Sequence, residues 1–225
     1  MADLSNLPPG SVAAFAKTTR WMRDRVAYVT EACKTYDETD PVNPIKPFPN
    51  KRHIEAMVRC WEEYYLYCII KSRRMQATWT MCALDLHLPM ITRHAPVFII
   101  SDDQSKSDKL VARCLFIYNN LPPEFMKPRI KVHIGQKGDP TRIDFIETDS
   151  RIEALPEDPD KIRQEGAALL HIEEFQSWQW PEESYKSMLP TVQGGGRLAV
   201  IGTARAATLF QKLVFDSMGQ AVGTA

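Results

Sequence analysis

The chain has 225 residues, 44% of them hydrophobic and 25% charged, which suits one sizeable α/β domain and excludes a disordered chain. Lys+Arg 28 balance Asp+Glu 28, so a nucleic-acid partner must meet a local basic patch and not a global field. The five cysteines, Cys33, Cys60, Cys68, Cys82 and Cys114, have no C-x-x-C spacing and fall in apolar patterns. A disulfide framework, a zinc site, a signal peptide and a membrane span are not expected; free thiols buried in a reducing cytosol are.

Residues 1–10 are polar and contain proline, as in a loose tail. Ser11 can cap a helix, and Phe15, Met22, Val26, Val29 and Cys33 follow at helical spacing, so residues 12–36 read as one amphipathic helix. Its other face carries Lys17, Arg20, Arg23 and Arg25, a solvated face or else a DNA or partner contact. Pro41, Pro44, Pro47 and Pro49 make residues 37–50 a linker that bars helix and central strand. Residues 1–50 are thus an N-terminal helix with a Pro-rich linker, and residues 51–225 the main domain. A second helix covers residues 53–65, with Ile54, Met57, Val58 and Trp61 on one face.

Residues 66–70 (LYCII) form a short strand, residues 71–78 a basic loop, and a helix follows from Trp79 to His87. Strand, basic loop and helix make a phosphate cradle, because the helix N-terminus offers unpaired N–H groups and a partial positive charge. The usual G-x-x-x-x-G-K-[ST] is absent: both glycines are missing, and Lys71 stands at the front of the loop. A solvated basic turn is the plainer reading of the same residues.

Pro89 and Pro96 bracket a turn, and the apolar run 97–100 suits a strand buried on both faces. Residues 103–119 read as a helix with Leu110, Val111, Cys114, Leu115 and Tyr118 inward. Short strands at 130–134, 143–146 and 151–155, with a turn at 135–141, suit an antiparallel flap. In AALLHIEE, residues 167–174, an apolar strand ends in Glu173 and Glu174. Adjacent strand positions point to opposite sides, so two acids can take separate tasks; both can equally cap the next segment. Trp178 and Trp180 suit docking of a helix near 182–188, a glycine-rich loop spans 191–196, and a strand at 197–201 ends in Gly202, Thr203 and Ala204. A closing helix covers 206–218 and a small-residue tail 219–225. The histidines are scattered, with His171 in strand packing.

Together these segments resemble the large terminase subunits, the ATPases that package phage DNA. KSRRMQATW is similar to that family's deviant Walker A loop: Lys71, Arg74 and Thr78 match, and Gln76 stands where the family usually has Gly. VFIISDDQSKSDKLV resembles its second strand and helix. RIEALPEDPDKIRQEGAALLHIEEF resembles the run into its acid motif, with Arg163 present, Gln164 replacing a glycine, and Glu173 replacing Asp. LPTVQGGGRLAVIGTA resembles the approach to its third motif. The resemblance covers residues 53–215.

It implies a P-loop NTPase of the ASCE type: a three-layer α/β sandwich with a mainly parallel sheet, an antiparallel flap and an N-terminal helical arm. Lys71, Ser72, Arg73, Met75, Gln76, Ala77 and Thr78 would hold ATP phosphates, with Thr78 and Glu173 serving Mg²⁺. Glu174 would polarise the attacking water and Arg74 neutralise transition-state charge, while Gly202 and Thr203 would couple hydrolysis to movement. Phe48 and Pro49 would pack on the adenine ring. The implied work is translocation of double-stranded DNA into a procapsid, by a homo-oligomeric ring acting with a portal protein and a small terminase subunit. The place would be the host cytoplasm at the procapsid portal, not a membrane and not the mature virion. The family's nuclease domain is not among these residues. A helicase-like ATPase outside packaging, and a nucleotide- or DNA-binding domain without turnover, are the alternatives.

Overall fold

The computed structural model of the chain describes residues 11–162 and 166–222. The tail at 1–10, the residues Arg163 and Gln164, and the last three residues of the small-residue tail lie outside the described residues. A seven-stranded sheet forms the centre. Leu66–Ile70 (β3), Arg197–Gly202 (β9), Leu169–Ile172 (β8), Pro96–Ser101 (β4) and Ser150–Pro156 (β7) run parallel. Pro140–Phe145 (β6) and Ile130–Ile134 (β5) add the antiparallel flap. Across the sheet the order is β3-β9-β8-β4-β7-β6-β5.

The period of two along these strands builds three layers. Val97, Ile99, Leu169, Ala199 and Ile201 face one core, with Tyr67 and Ile69 packed against it. Phe98, Ile100, Leu170, Ile172, Leu198 and Val200 face the other, together with Cys68. Helices Arg52–Glu63 (α3), Ala77–Ile91 (α4) and Gln104–Asn119 (α5) cover the first face. Pro181–Val192 (α7) and Leu209–Val222 (α8) cover the second. Strands buried on both faces read as apolar runs because no side is left for solvent. Among the described residues no helix is long and apolar enough to cross a membrane.

The N-terminal region departs from the expected single helix over 12–36. Ser11–Arg23 (α1) stops at Asp24, whose extended backbone and side chain cap a new start by accepting from the Ala27 N–H. A short turn, Arg25–Ala27 (α2), passes into a π-helical turn, Tyr28–Ala32, and then into strand Lys34–Tyr36 (β1). That strand pairs antiparallel with Ile45–Pro47 (β2), so the proline-rich stretch is a hairpin and not only a linker. Pro47 sits at the strand's last position, where its missing donor costs no central ladder bond. Trp21, Tyr28 and Val29 enter the main core, so the N-terminal helical arm packs onto α4.

Three further boundaries differ. Helix α4 begins at Ala77 and runs through Pro89, so that proline lies within a helix and does not open a turn. Helix α7 likewise continues through Pro190 to Val192. The closing helix reaches Val222, so residues 219–222 are helical. A short helix, Pro159–Ile162 (α6), precedes β8. Cys33, Cys82 and Cys114 are buried and Cys68 is half-buried, but Cys60 is exposed, against the expectation of five buried thiols.

Candidate active site

The site lies at the carboxyl ends of β3, β8 and β9, where an open parallel sheet places its ligands. The backbone fixes the strand tips relative to one another. The Lys71 N–H donates to the Gly202 carbonyl at 3.0 Å, and the Glu173 N–H to the Ile100 carbonyl at 2.9 Å. Residue 71 therefore leaves β3 beside the end of β9, with the acids of β8 one strand further on.

Within the loop, Arg74 and Gln76 have positive φ, 65° and 60°. This is the left-handed region that glycine occupies freely and side chains only at a cost. Gln76 thus adopts left-handed backbone at the position where the sequence resemblance leads one to expect glycine. It makes no side-chain cap on α4, and the first-turn N–H groups of a helix carry the partial positive charge that suits an anion.

The side chains converge. Lys71 Nζ donates to Thr78 Oγ1 at 2.9 Å, to Glu173 Oε1, and is 3.2 Å from Glu174 Oε1. Thr78 Oγ1 donates to Glu173 Oε1 at 2.9 Å. The expectation that the two acids face opposite sides of a strand does not hold. Strand β8 ends at Ile172, and Glu174 has left-handed backbone at φ 53°, which turns its carboxylate back to the same lysine. Glu173 is the buried acid and Glu174 the partly open one, their side chains 7% and 35% exposed.

Behind Glu173 a row of buried charge continues. Its Oε2 meets His171 Nε2 at 3.2 Å, and His171 Nδ1 meets Asp85 Oδ2 at 2.7 Å. Burial by itself would lower the His171 pKa, but Asp85 and Glu173 outweigh it and push it up to about 10. Burial would raise Glu173, but His171 and then Lys71 outweigh it and hold it at about 2. Burial raises Asp85, with His171 opposing. Acidic and basic side chains alternate along Asp85, His171, Glu173 and Lys71, so each buried acid faces a basic neighbour.

A second set of bonds ties Glu174 to β9. Gln176 donates through Nε2 to Glu174 Oε2 and accepts the Thr203 N–H on Oε1 at 3.0 Å. Gly202 makes room for this amide: a Cβ there would come within 2.5 Å of Gln176 Oε1 and 2.8 Å of the Phe210 ring. Trp178 donates its indole N–H to the Glu173 carbonyl at 3.1 Å, which fixes the turn after β8.

Residues 71–78, Glu174, Gln176 and Thr203 line a cavity of about 1110 Å³, large enough for a nucleotide. Glu173 lines a smaller adjoining cavity with Lys71, Thr78 and Glu174. Of the expected adenine contacts, Pro49 lines the large cavity, but Phe48 is in the core at 3% exposure and cannot stack on a ligand. Arg74 is an exposed loop residue on the cavity wall. Asp85, His171, Gln176, and the cavity cations Arg113 and Arg205, had no place among the site residues expected from sequence. Of these only Asp85 carried a signal: it lies seven residues after Thr78, on the same face of α4.

The oxygens of Thr78, Glu173 and Glu174 already surround one positive centre, the Lys71 ammonium. Hard oxygen donors so placed fit Mg²⁺ better than a soft metal.

No protein-family model and no curated protein matches the sequence. Solved structures do. The HK97 bacteriophage large terminase superposes at a TM-score of 0.68 with 12% identity, over 89% of this chain and 42% of that one. A variant of the Thermus phage P74-26 large terminase ATPase domain gives a TM-score of 0.57 with 11% identity, over 74% and 69%. The chain spans under half the length of the HK97 protein. At such identities the likeness is one of architecture, and in architecture the chain has the mixed α/β fold of the phage large terminases and of their ATPase domain.

Proposed function

We propose that the chain binds Mg·ATP in the large cavity and hydrolyses its terminal phosphoanhydride bond, as the ATPase of a DNA-packaging motor. The observation that carries this reading is the meeting of Lys71 with Thr78, Glu173 and Glu174 at the strand tips.

The chemistry follows from the groups present. Lys71 exchanges its carboxylate partners for the β- and γ-phosphates, which answer the same positive charge more fully. The N–H groups at the start of α4 take phosphate oxygens. Thr78 and Glu173 would hold Mg²⁺, which neutralises phosphate charge when bound. Once Lys71 turns to phosphate, Glu174 is free to orient water for in-line attack and accept its proton. Arg74 neutralises charge on the transferring group, within its own subunit or across a ring contact. Gly202 and Thr203, through Gln176, pass the state of Glu174 to β9 and α8.

The larger role rests on the neighbours' identity as terminases. In it, turnover drives double-stranded DNA into a procapsid, in a homo-oligomeric ring at the portal in the host cytoplasm, with a portal protein and a small subunit. DNA contacts in such a role are to the backbone, weakly sequence-dependent and salt-sensitive. The direct test is phosphate release by the parent, Lys71→Ala and Glu174→Gln. A working parent and two slow variants are expected, and equal rates reject the assignment. Stimulation by procapsids or portal selects packaging, and strand separation selects a helicase.

A further inference from the structure

The proposed chemistry uses Glu173 but assigns nothing to the two groups behind it, and any role for them in catalysis rests on that functional reading. Asp85 and His171 are both at 0% exposure, deeper than any group that touches the cavity. His171 stands two residues before Glu173, on the same face of the strand direction, and Asp85 two helical turns after Thr78. The imidazole spans them with both ring nitrogens engaged, at 2.7 Å and 3.2 Å. Rotating the ring would strand a buried carboxylate at each end.

A glutamate carboxylate needs such a restraint more than an aspartate would. Its longer arm has one more rotatable bond, so a free Glu173 carboxylate would sample several positions. The structure removes that freedom unequally: Oε2 is taken by His171, and Oε1 is left for Thr78 and Lys71. Packing alone is a poor account of the row. Asp85 Oδ1 is buried without a hydrogen-bond partner, and buried ionic groups of this kind are often replaceable by apolar residues with no loss of stability.

We infer that Asp85 and His171 are positioning residues for the Mg·ATP site: Asp85 orients the His171 ring, and the ring's Nε2–H holds Glu173 Oε2 so that Oε1 alone is presented to the metal side. Outer partners of this sort set ligand orientation without touching the metal.

The test is Mg²⁺-dependent binding of a fluorescent ATP analogue, with turnover in parallel, for the parent, Asp85→Asn, His171→Phe and His171→Gln. Asp85→Asn and His171→Phe are expected to need roughly tenfold to a hundredfold more Mg²⁺ for half-maximal binding and to lose kcat by a like factor. Their KM for Mg·ATP at saturating metal stays near the parent's. His171→Gln, which keeps a donor within reach of Glu173, recovers most of the loss. Folded variants with an unchanged Mg²⁺ requirement overturn the inference while leaving the functional reading intact. A parent with no Mg²⁺-dependent nucleotide binding overturns the functional reading and this inference with it. Should the variants not fold, the unaltered protein labelled with ¹⁵N-histidine decides: the His171 Nε2–H resonance must move on adding Mg·ATP and stay put with ATP and a chelator, and a resonance that ignores the metal is the contrary result.

Discussion

Helix α4 carries two contrasting buried regions. On the site side, Asp85 meets His171 and begins the row that ends at Lys71. On the side facing the N-terminal helices, His87 donates to the Trp21 carbonyl at 3.0 Å and lies 4.6 Å from the Tyr28 ring. Both histidines are at 0% exposure. Burial takes His87 down to about 4, aided by Arg25 and opposed by the Trp21 bond, so it is neutral at physiological pH. His171, between two carboxylates, is charged. Depth of burial therefore does not set the charge of a side chain; the sign of its nearest partners does. One region is a core that includes an imidazole. The other is an electrostatic framework that reaches the cavity.

The contrast can be broken first at its charged end. Lys71→Ala removes the cation that closes the row and is expected to lower turnover on the order of 10²–10³-fold, the usual loss when one preorganised phosphate or oxyanion contact is removed. Phosphate release at saturating Mg·ATP measures it.

The neutral end responds to acid. A histidine whose folded pKa lies below its unfolded value contributes stability above the unfolded pKa, near 6.5, and loses it as pH falls through the folded value, about 4. Urea unfolding at pH 7 and pH 5 should show about 2 kcal/mol of destabilisation from this group alone. His87→Phe, which keeps a ring beside Tyr28, should flatten that part of the profile. An unchanged profile would mean that His87 is not held neutral.

Gln176→Ala cuts the link between Glu174 and Thr203 without touching Lys71. A loosened Glu174 predicts a fall in kcat of about tenfold with KM nearly constant, as for a misplaced reacting group. The smallest effect belongs to Gln76→Gly. Relief of the left-handed backbone is worth about 1 kcal/mol or less, and melting with and without Mg·ATP should show equal or higher stability and retained binding.

Much of this was legible in the sequence because strand tips announce themselves. The apolar runs 66–70, 97–100 and 197–201 lie within β3, β4 and β9, and the basic loop, the twin acids and Thr203 stand at or just beyond strand ends. What escaped is of two kinds. Local chain reversals were hidden: Asp24 sits in a run with helical spacing, and only its bond to the Ala27 N–H shows that it restarts the helix. Long-range pairing was hidden more deeply. Asp85 and His171 are 86 residues apart, and neither lies in a pattern that names a partner; a histidine in an apolar strand looks the same beside a carbonyl or a carboxylate. Phe48 as an adenine contact rested on the resemblance alone, and nothing in its local sequence shows that the β1–β2 hairpin carries it into the core.

Lys71 and the paired acids must share one triphosphate if the site works as proposed. Crystals soaked with Mg²⁺ and a non-hydrolysable ATP analogue test that directly. The expected density has the γ-phosphate within hydrogen-bonding reach of Lys71 Nζ, the metal between Thr78 and Glu173, and the Glu174 carboxylate facing the terminal phosphorus. An analogue bound away from the 71–78 loop, with Lys71 still held by Glu173, would contradict it.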